Sequence, residues 1–303
     1  MNYKKIIKNR NVRFALLRIF SFIPDKWMIK AQYRIKTGRC LNLNNPERYT
    51  EKIQWYKLNY KNPVMIQCVD KYEVRKYVAD KGLERILNEC YGVYEKYEEI
   101  DYSRLPDQYV IKDTLGTGGD LVIVCSSQAD FDADKYGSLI RKWLSNKTTR
   151  SGGREWPYYS GKKHRIIIEK YLSQSDRQSL IEYKFMCFNG KVHFCYVLCD
   201  RVLGQSVKEG IFSKGFELLP VCEVGDEVPE HIEKPDNYEE MIQIAETLAA
   251  DFPHVRVDLY NIDGVIVFGE LTFFDSSGYA SYAPDHFDYV LGKPFDLKEW
   301  IPE

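Results

Sequence analysis

The stretch Arg256-Val257-Asp258-Leu259-Tyr260-Asn261-Ile262-Asp263-Gly264, with Gly269-Glu270-Leu271-Thr272-Phe273 beyond it, carries two carboxylates on what its pattern predicts to be facing strands. Apolar and polar residues alternate, so Val255, Val257 and Leu259 fall on one face and Arg256, Asp258 and Tyr260 on the other, the period of a half-buried strand. On the return strand Phe268, Glu270 and Thr272 are expected to share a face. Register depends on the turn. A two-residue Asp263-Gly264 loop would put Asp258 and Glu270 on opposite faces. A three-residue Ile262-Asp263-Gly264 loop, with Gly264 left-handed, sets Arg256 opposite Glu270 and Asp258 diagonal to it, and this second register is the one expected. Diagonal Cβ atoms lie roughly 7–8 Å apart. Two converging carboxylates at that spacing can share Mg²⁺, a hard ion that takes oxygen ligands and leaves positions open for phosphate. Arg256 would then reach a terminal phosphate. The plain alternative is an amphipathic hairpin with a wet polar face.

Around this hairpin the composition is that of a packed globular protein. The chain has 303 residues, 44% of them hydrophobic and 14% aromatic, enough for one large or two modest domains and too apolar for disorder. Eight cysteines show no Cys-x-x-Cys spacing, and Cys187 and Cys195 lie in strand-like runs, which predicts free packed thiols and a reducing, cytoplasmic setting. Cys195 and Cys199 lack a second pair or a nearby histidine to complete a tetrahedral metal site. The five histidines do not cluster and read as structural, with His164, inside a basic loop, the exception.

The net charge of −1 conceals an asymmetry. Residues 1–39 hold eleven Lys and Arg against the single acid Asp25, a balance of +10. The segment is too charged for a signal peptide and too short for a membrane span. Phe14, Leu17, Ile19 and Phe20, interleaved with cations, suit a helix lying on an anionic membrane surface at the inner face of the cell membrane. The alternative is a helix packed on its own domain. Nucleic acid is not expected as a partner.

Residues 46–82 read as helical, with a start near Pro46–Glu51 and a second run from Asp70 to Val78 closed by Gly82. Strands follow. Tyr109-Val110-Ile111-Lys112 ends in a lysine and leads into Leu115-Gly116-Thr117-Gly118-Gly119-Asp120, then Leu121–Val124. A helix near 130–145 precedes a loop with Lys147, Arg150, Arg154, Trp156, Tyr158, Tyr159, Lys162 and Lys163, expected to stay mobile until an anion arrives. The strand Arg165–Glu169 comes next, and then a hairpin turning at Asn189-Gly190 and an amphipathic helix near 238–250. Strands and helices mix without regular βαβ alternation, which predicts α+β.

The phrases DKYEVRKYV, LPDQYVIK, IIIEKYL, YKFMCFNGKV, RVDLY and GELTF, with Gly278 beyond, resemble in order those of the TupA-like branch of the ATP-grasp enzymes over roughly residues 40–295. The resemblance implies an ATP-grasp fold, two α+β subdomains clasping ATP, here behind a basic helical N-terminal arm. The expected parts are 1–60 for the basic helical region, 61–168 for the lid part with the glycine loop, and 169–303 for the part with the metal hairpin. ATP and one or two Mg²⁺ ions are the implied cofactors.

For the nucleotide the resemblance implies Lys71, Lys112, Gly116, Gly118, Gly119 and the hinge Glu169-Lys170-Tyr171-Leu172, with Asp176 toward the ribose. A strand-end lysine supplies a point charge to inner phosphates, and glycines let backbone N–H groups approach them. Asp258, Glu270 and Thr272 are the implied metal ligands. Thr272 stands where many relatives have Asn and offers only a hydroxyl, so a second ion stays open. Lys184 and Arg256 are the implied catalytic cations. Asp275, Ser276 and Ser277 are candidates for substrate contact, with an ordinary turn as the alternative.

The implied reaction joins a carboxylate to an amine through an acyl phosphate, needing charge and positioning rather than a nucleophilic side chain. The implied setting is bacterial surface polysaccharide assembly, with an amino acid or uronic acid among the small-molecule or glycan substrates. A sugar kinase or glycosyltransferase of the same pathway, and a non-catalytic nucleotide-binding module, are the alternatives. Fold alone does not name the acceptor.

Overall fold

The structure, a computed structural model, describes residues 19–116, 121–146, 153–159, 161–174, 179–199 and 208–297. Gly118, Gly119 and Asp176, and Phe14 and Leu17 of the expected membrane helix, lie outside these residues. In chain order the main elements are α1 (Asp25–Thr37), α2 (Tyr49–Asn59), α3 (Val64–Cys68), α4 (Val74–Asp80), β1 (Cys90–Tyr94), β2 (Tyr109–Asp113), β3 (Val122–Cys125), α5 (Ala133–Leu144), β4 (Ile166–Lys170), β5 (Glu182–Phe188), β6 (Lys191–Cys199), β7 (Lys208–Ser213), β8 (Cys222–Glu223), α6 (Tyr238–Ala249), β9 (His254–Ile262), β10 (Val265–Thr272), β11 (Tyr282–Ala283) and α7 (Phe287–Gly292). The mixture is α+β, as the sequence pattern predicts.

Two compact units emerge. The first comprises Met1–Asn62, Thr149–Trp156 and Ser179–Glu303, the second Pro63–Thr148 and Pro157–Gln178. The expected break between 168 and 169 falls inside β4.

The first unit is built on an antiparallel sheet in the order β10-β9-β5-β6-β7. Helix α6 packs on β9, β5 and β6. It buries Met241, Ile244, Ala245 and Leu248, the stripe that a 3.6-residue period predicts. Full burial of each large apolar side chain contributes about 1.5–3 kcal/mol. At the start of α2 the Glu51 carboxylate accepts the backbone N–H groups of Glu47 (3.1 Å) and Arg48 (3.3 Å), while Asp288 accepts Thr50 N–H (3.0 Å) and the Thr50 hydroxyl (2.8 Å). Both carboxylates meet donors that a helix N-terminus leaves unpaired.

The second unit carries a sheet in the order β1-β4-β2-β3. Tyr109, Ile111, Ile166 and Ile168 form its core with Ile140 and Trp143 of α5.

The β9–β10 hairpin corrects the expected register. Val265 pairs with Ile262, so the loop is the two residues Asp263 (φ 51°) and Gly264 (φ 85°), both left-handed as a type I′ turn requires. Such a loop should have separated the two carboxylates. It does not, because a β-bulge between Phe268 and Glu270 adds one residue, Gly269, to the return strand. Phe268 therefore faces Leu259 in the core and shares no face with Glu270, while Glu270 stands directly opposite Asp258 and Thr272 opposite Arg256. A Cβ on Gly269 would lie 2.9 Å from the Asp258 carbonyl oxygen, so the bulge needs glycine there.

Part of the basic arm is an ordinary packed helix. Helix α1 buries Met28, Ile29 and Tyr33, and closes at Gly38 (φ 76°), whose N–H bonds back to Arg34. Its far side and the turn before it leave Ile19, Phe22 and Trp27 exposed. Two cations of the basic loop are already engaged, while Lys147 and Arg150 lie outside the described residues. Arg154 is 1% exposed and donates to the carbonyls of Phe20 (2.9 Å), Ser21 (3.3 Å) and Ile23 (3.1 Å) and to Asp25 (3.0 Å), and Lys162 is paired with Glu73. Neither awaits an anion.

Candidate active site

Strand pairing in the first unit places charges on one line across three strands. Lys184 on β5 is opposite Asp258 on β9, and Asp258 is opposite Glu270 on β10. Arg256, two residues before Asp258 and hence on the same face, ties the group together. Its Nε and Nη2 chelate Asp258 at 2.7 Å each, Nη1 donates to Asp275, and Nη2 also reaches Thr272 Oγ1 (3.2 Å) and Glu270 (3.4 Å). The Thr272 hydroxyl donates to Glu270 (3.1 Å). Lys184 Nζ lies 3.3 Å from Glu182 and 3.6 Å from Asp258.

Burial sets the electrostatics. Asp258 is wholly buried, and desolvation pushes its carboxyl up to about 6 although Arg256 and Lys184 pull it down. For Lys184, burial and Arg256 push downward, but Glu182, Asp258 and Glu270 outweigh them and hold the ammonium above its usual value. Beyond Asp275 the environment turns acidic. Burial and the Asp275 charge push Glu209 up to about 7 and Glu223 up to about 9.

The donor chemistry of this face fits a hard cation. Two carboxylates and a hydroxyl meet there, one carboxylate dry and one, Glu270, with 44% of its side chain exposed. Among the described residues no cluster of three or more His, Cys, Asp or Glu forms a complete metal cage. Mg²⁺ is ordinarily held by one or two carboxylates, the remaining positions going to water and phosphate.

In the second unit Lys112 and Glu169 meet. Glu169, opposite Val110, lies diagonal to Lys112 on the same face, and Lys112 Nζ is 2.8 Å from its Oε2. Arg75 holds the other oxygen at 3.4 Å. Lys71 donates its side chain to the Gly116 carbonyl and its backbone N–H to Thr114 O (2.8 Å), so it braces the start of the glycine stretch. Gly116 is tightly enclosed, a Cβ there lying 2.9 Å from Leu121 Cβ. Lys170 has 57% of its side chain exposed, with Tyr171 and Leu172 half-buried past the end of β4. His164 is buried against Asp113 at 2.7 Å.

Sequence reasoning missed Arg75 and Glu182, and gave Asp275 no link to Arg256. Two signals were present. Glu182 stands two residues before Lys184 on a strand, hence on the same face, and Arg75 lies one helical turn beyond Lys71.

The model of the TupA-like ATP-grasp family matches residues 51–296. No curated protein matches the chain. Among solved structures, D-alanine–D-alanine ligase from Bacillus anthracis complexed with ATP is similar at 17% identity over 78% of this chain and 64% of that one, with a TM-score of 0.45. The same ligase from Helicobacter pylori gives 12% identity, 82% and 68% coverage and 0.44, and phosphoribosylamine–glycine ligase from Thermotoga maritima gives 15%, 69%, 48% and 0.38. The chain spans 48% to 68% of the length of these ligases. The family match runs through α2, both sheets and the charged hairpin, and the chain belongs to the TupA-like ATP-grasp family.

Proposed function

We propose that the chain is an ATP- and Mg²⁺-dependent carboxylate–amine ligase. The observation that carries this reading is the line Lys184–Asp258–Glu270 with Arg256 across it, in a chain of the TupA-like ATP-grasp family. A substrate carboxylate oxygen attacks the γ-phosphorus, the bond to the β-phosphate oxygen breaks and ADP leaves. The amine nitrogen then attacks the acyl carbon, inorganic phosphate departs and the nitrogen loses a proton. Asp258, Glu270 and the Thr272 hydroxyl would hold Mg²⁺, which would supply positive charge to the phosphate oxygens. Arg256 and Lys184, oriented by Asp258, Asp275 and Glu182, supply positive charge beside the transferring phosphoryl. Lys71, Lys112 and Glu169 serve the nucleotide.

The substrates in this reading are an amino acid or uronic acid and an amine of a bacterial surface polysaccharide or its precursor. The enzyme works in the cytoplasm, touching the inner membrane surface through residues 1–39. The support for that contact is the +10 balance of the arm together with exposed Phe22 (77%) and Trp27 (66%). No helix among the described residues is long and apolar enough to cross a membrane.

The test is incubation with ATP, Mg²⁺, hydroxylamine and a panel of amino acids and uronic acids. A hydroxamate with ADP is expected. A stable phosphorylated sugar, or transfer from a nucleotide-sugar without ATP, would overturn the ligase reading. For the arm, co-sedimentation with anionic vesicles that weakens with salt is expected, and equal sedimentation of a chain starting at residue 40 would remove the membrane contact.

A further inference from the structure

One lysine sits deep in the first unit and outside the charged line. Lys57, on α2, is 1% exposed, and its Nζ donates to two main-chain carbonyls, Gly153 O at 2.9 Å and Ser277 O at 2.7 Å. The rings of Tyr279 (4.9 Å) and Phe274 (5.9 Å) flank it. Burial drags its ammonium down to about 7, with Glu155 opposing the fall and Lys36 adding to it. A buried cation bonded only to neutral oxygens is a poor choice for stability alone.

Its partners explain the choice. Ser276 (φ 45°), Ser277 (φ 53°) and Gly278 (φ 65°) form a run of three left-handed residues, two of them with side chains that disfavour it. Such a run persists only when its surroundings over-determine it. Here Gln54, on the same helix as Lys57, donates to Ser277 O (2.9 Å) and Gly278 O (2.7 Å), and the Ser277 hydroxyl donates to Glu155. A Cβ on Gly278 would lie 2.5 Å from Gln54 Nε2 and 2.6 Å from Ile53, so the turn seats on α2 with no room to spare. The residue that opens this turn is Asp275, 3% exposed, and Asp275 holds Nη1 of Arg256.

We propose that Lys57 is a positioning residue: by clamping the Ser276–Gly278 turn it fixes Asp275 and so aims Arg256. The proposal deepens the reading of Arg256 given above and rests on it for its catalytic consequence.

Lys57→Met tests it, with no substrate needed for the first two readouts. Hydrogen exchange of the peptide spanning 274–280 should quicken tenfold or more while exchange in β9 is unchanged, and the Arg256 Nε–H resonance, assigned through Arg256→Lys, should move or broaden. The melting midpoint should stay within about 5 °C of the parent. With the substrates that the hydroxamate assay identifies, kcat should fall at least tenfold with KM for ATP changed less than threefold. An unmoved Arg256 resonance, an unchanged exchange rate in 274–280, or an unchanged kcat where Arg256→Ala itself lowers turnover would each overturn the proposal. Should Lys57→Met fail to fold, Ser277→Ala decides the question, since it loosens the same turn from the Glu155 side and must shift the Arg256 resonance in the same direction. Failure of the catalytic role given to Arg256 looks different, with Arg256→Ala retaining full turnover while the exchange and resonance results stand, and failure of the ligase reading shows as no hydroxamate from the parent chain.

Discussion

The two units place their charges by different means. In the first, Lys184, Asp258 and Glu270 are neighbours because three strands are hydrogen-bonded in one register, and Arg256 and Asp258 are almost entirely shielded from water. In the second, Lys112 and Glu169 sit diagonally across one strand pair, Arg75 reaches in from a helix, and Lys112 keeps 30% of its side chain in solvent. A buried network couples site geometry to fold stability, because removing one member strands the others without water. A partly exposed pair with a further partner loses less, because solvent reaches Lys112 and Arg75 still faces Glu169. Damage in the first unit should therefore reach both stability and turnover, and in the second mainly affinity.

The largest expected effect is that of Asp258→Asn. It leaves the Arg256 guanidinium buried with Asp275 and Glu270 as its remaining compensation, and because burial already disfavours the Asp258 charge the loss should be about 1–3 kcal/mol. Turnover should fall on the order of a hundredfold or more, with the metal charge site lost. Chemical denaturation and ADP release check both. If turnover vanished at unchanged stability, the coupling claimed for this unit would be wrong.

Gly269→Val strikes the same pair without touching a charge. Its Cβ would meet the Asp258 carbonyl at 2.9 Å, and overpacking of this kind costs about 1–3 kcal/mol. Turnover should drop on the order of tenfold or more as the bulge is squeezed out and Asp258 and Glu270 part. A crystal structure retaining the bulge would break the link between this glycine and the carboxylate register.

A smaller effect concerns pH. Asp258 is held near 6 in the fold by burial, above the roughly 3.9 of an unfolded chain. Its contribution to stability is therefore present below about pH 4 and lost as pH rises through about 6. His254, buried and lowered to about 4, contributes in the opposite direction, gaining stability as pH climbs from about 4 to 6.5. The metal-free melting midpoint should consequently change little from these two groups between pH 4 and 6.5. The rise in midpoint on adding Mg²⁺ should be larger at pH 7 than at pH 5, since only ionised Asp258 binds the cation well. An equal Mg²⁺ increment at both values would remove Asp258 from the metal site.

Lys112→Ala should do least to the fold, on the order of 1 kcal/mol, since Lys112 is partly exposed and the buried Glu169 keeps Arg75 as a partner. Its affinity for ATP, measured calorimetrically, should weaken about tenfold. A large loss of stability would show that the second unit is as tightly coupled as the first, and the contrast between them would dissolve.

Much of this was legible in the residues themselves. Alternation announced β9 and β10, Asn189-Gly190 announced the β5–β6 hairpin, and the apolar stripe of α6 announced its buried face, since each depends on local periodicity or on a turn that demands a left-handed residue. The candidates Arg256, Asp258 and Glu270 could be named because charged side chains recurring on the polar face of a strand are visible at short range, whereas Lys184 came from the family resemblance. Tertiary structure alone decided how they meet. A single inserted residue inverts the parity of a strand, and a bulge at Gly269 leaves no trace in the period that surrounds it. The hold of Arg154 on Phe20–Ile23, of Asp275 on Arg256 and of Lys57 on Ser277 joins residues from 19 to 220 positions apart in the chain. No local pattern encodes such partners, because they are selected by packing and by the need of buried polar groups for a partner of any origin.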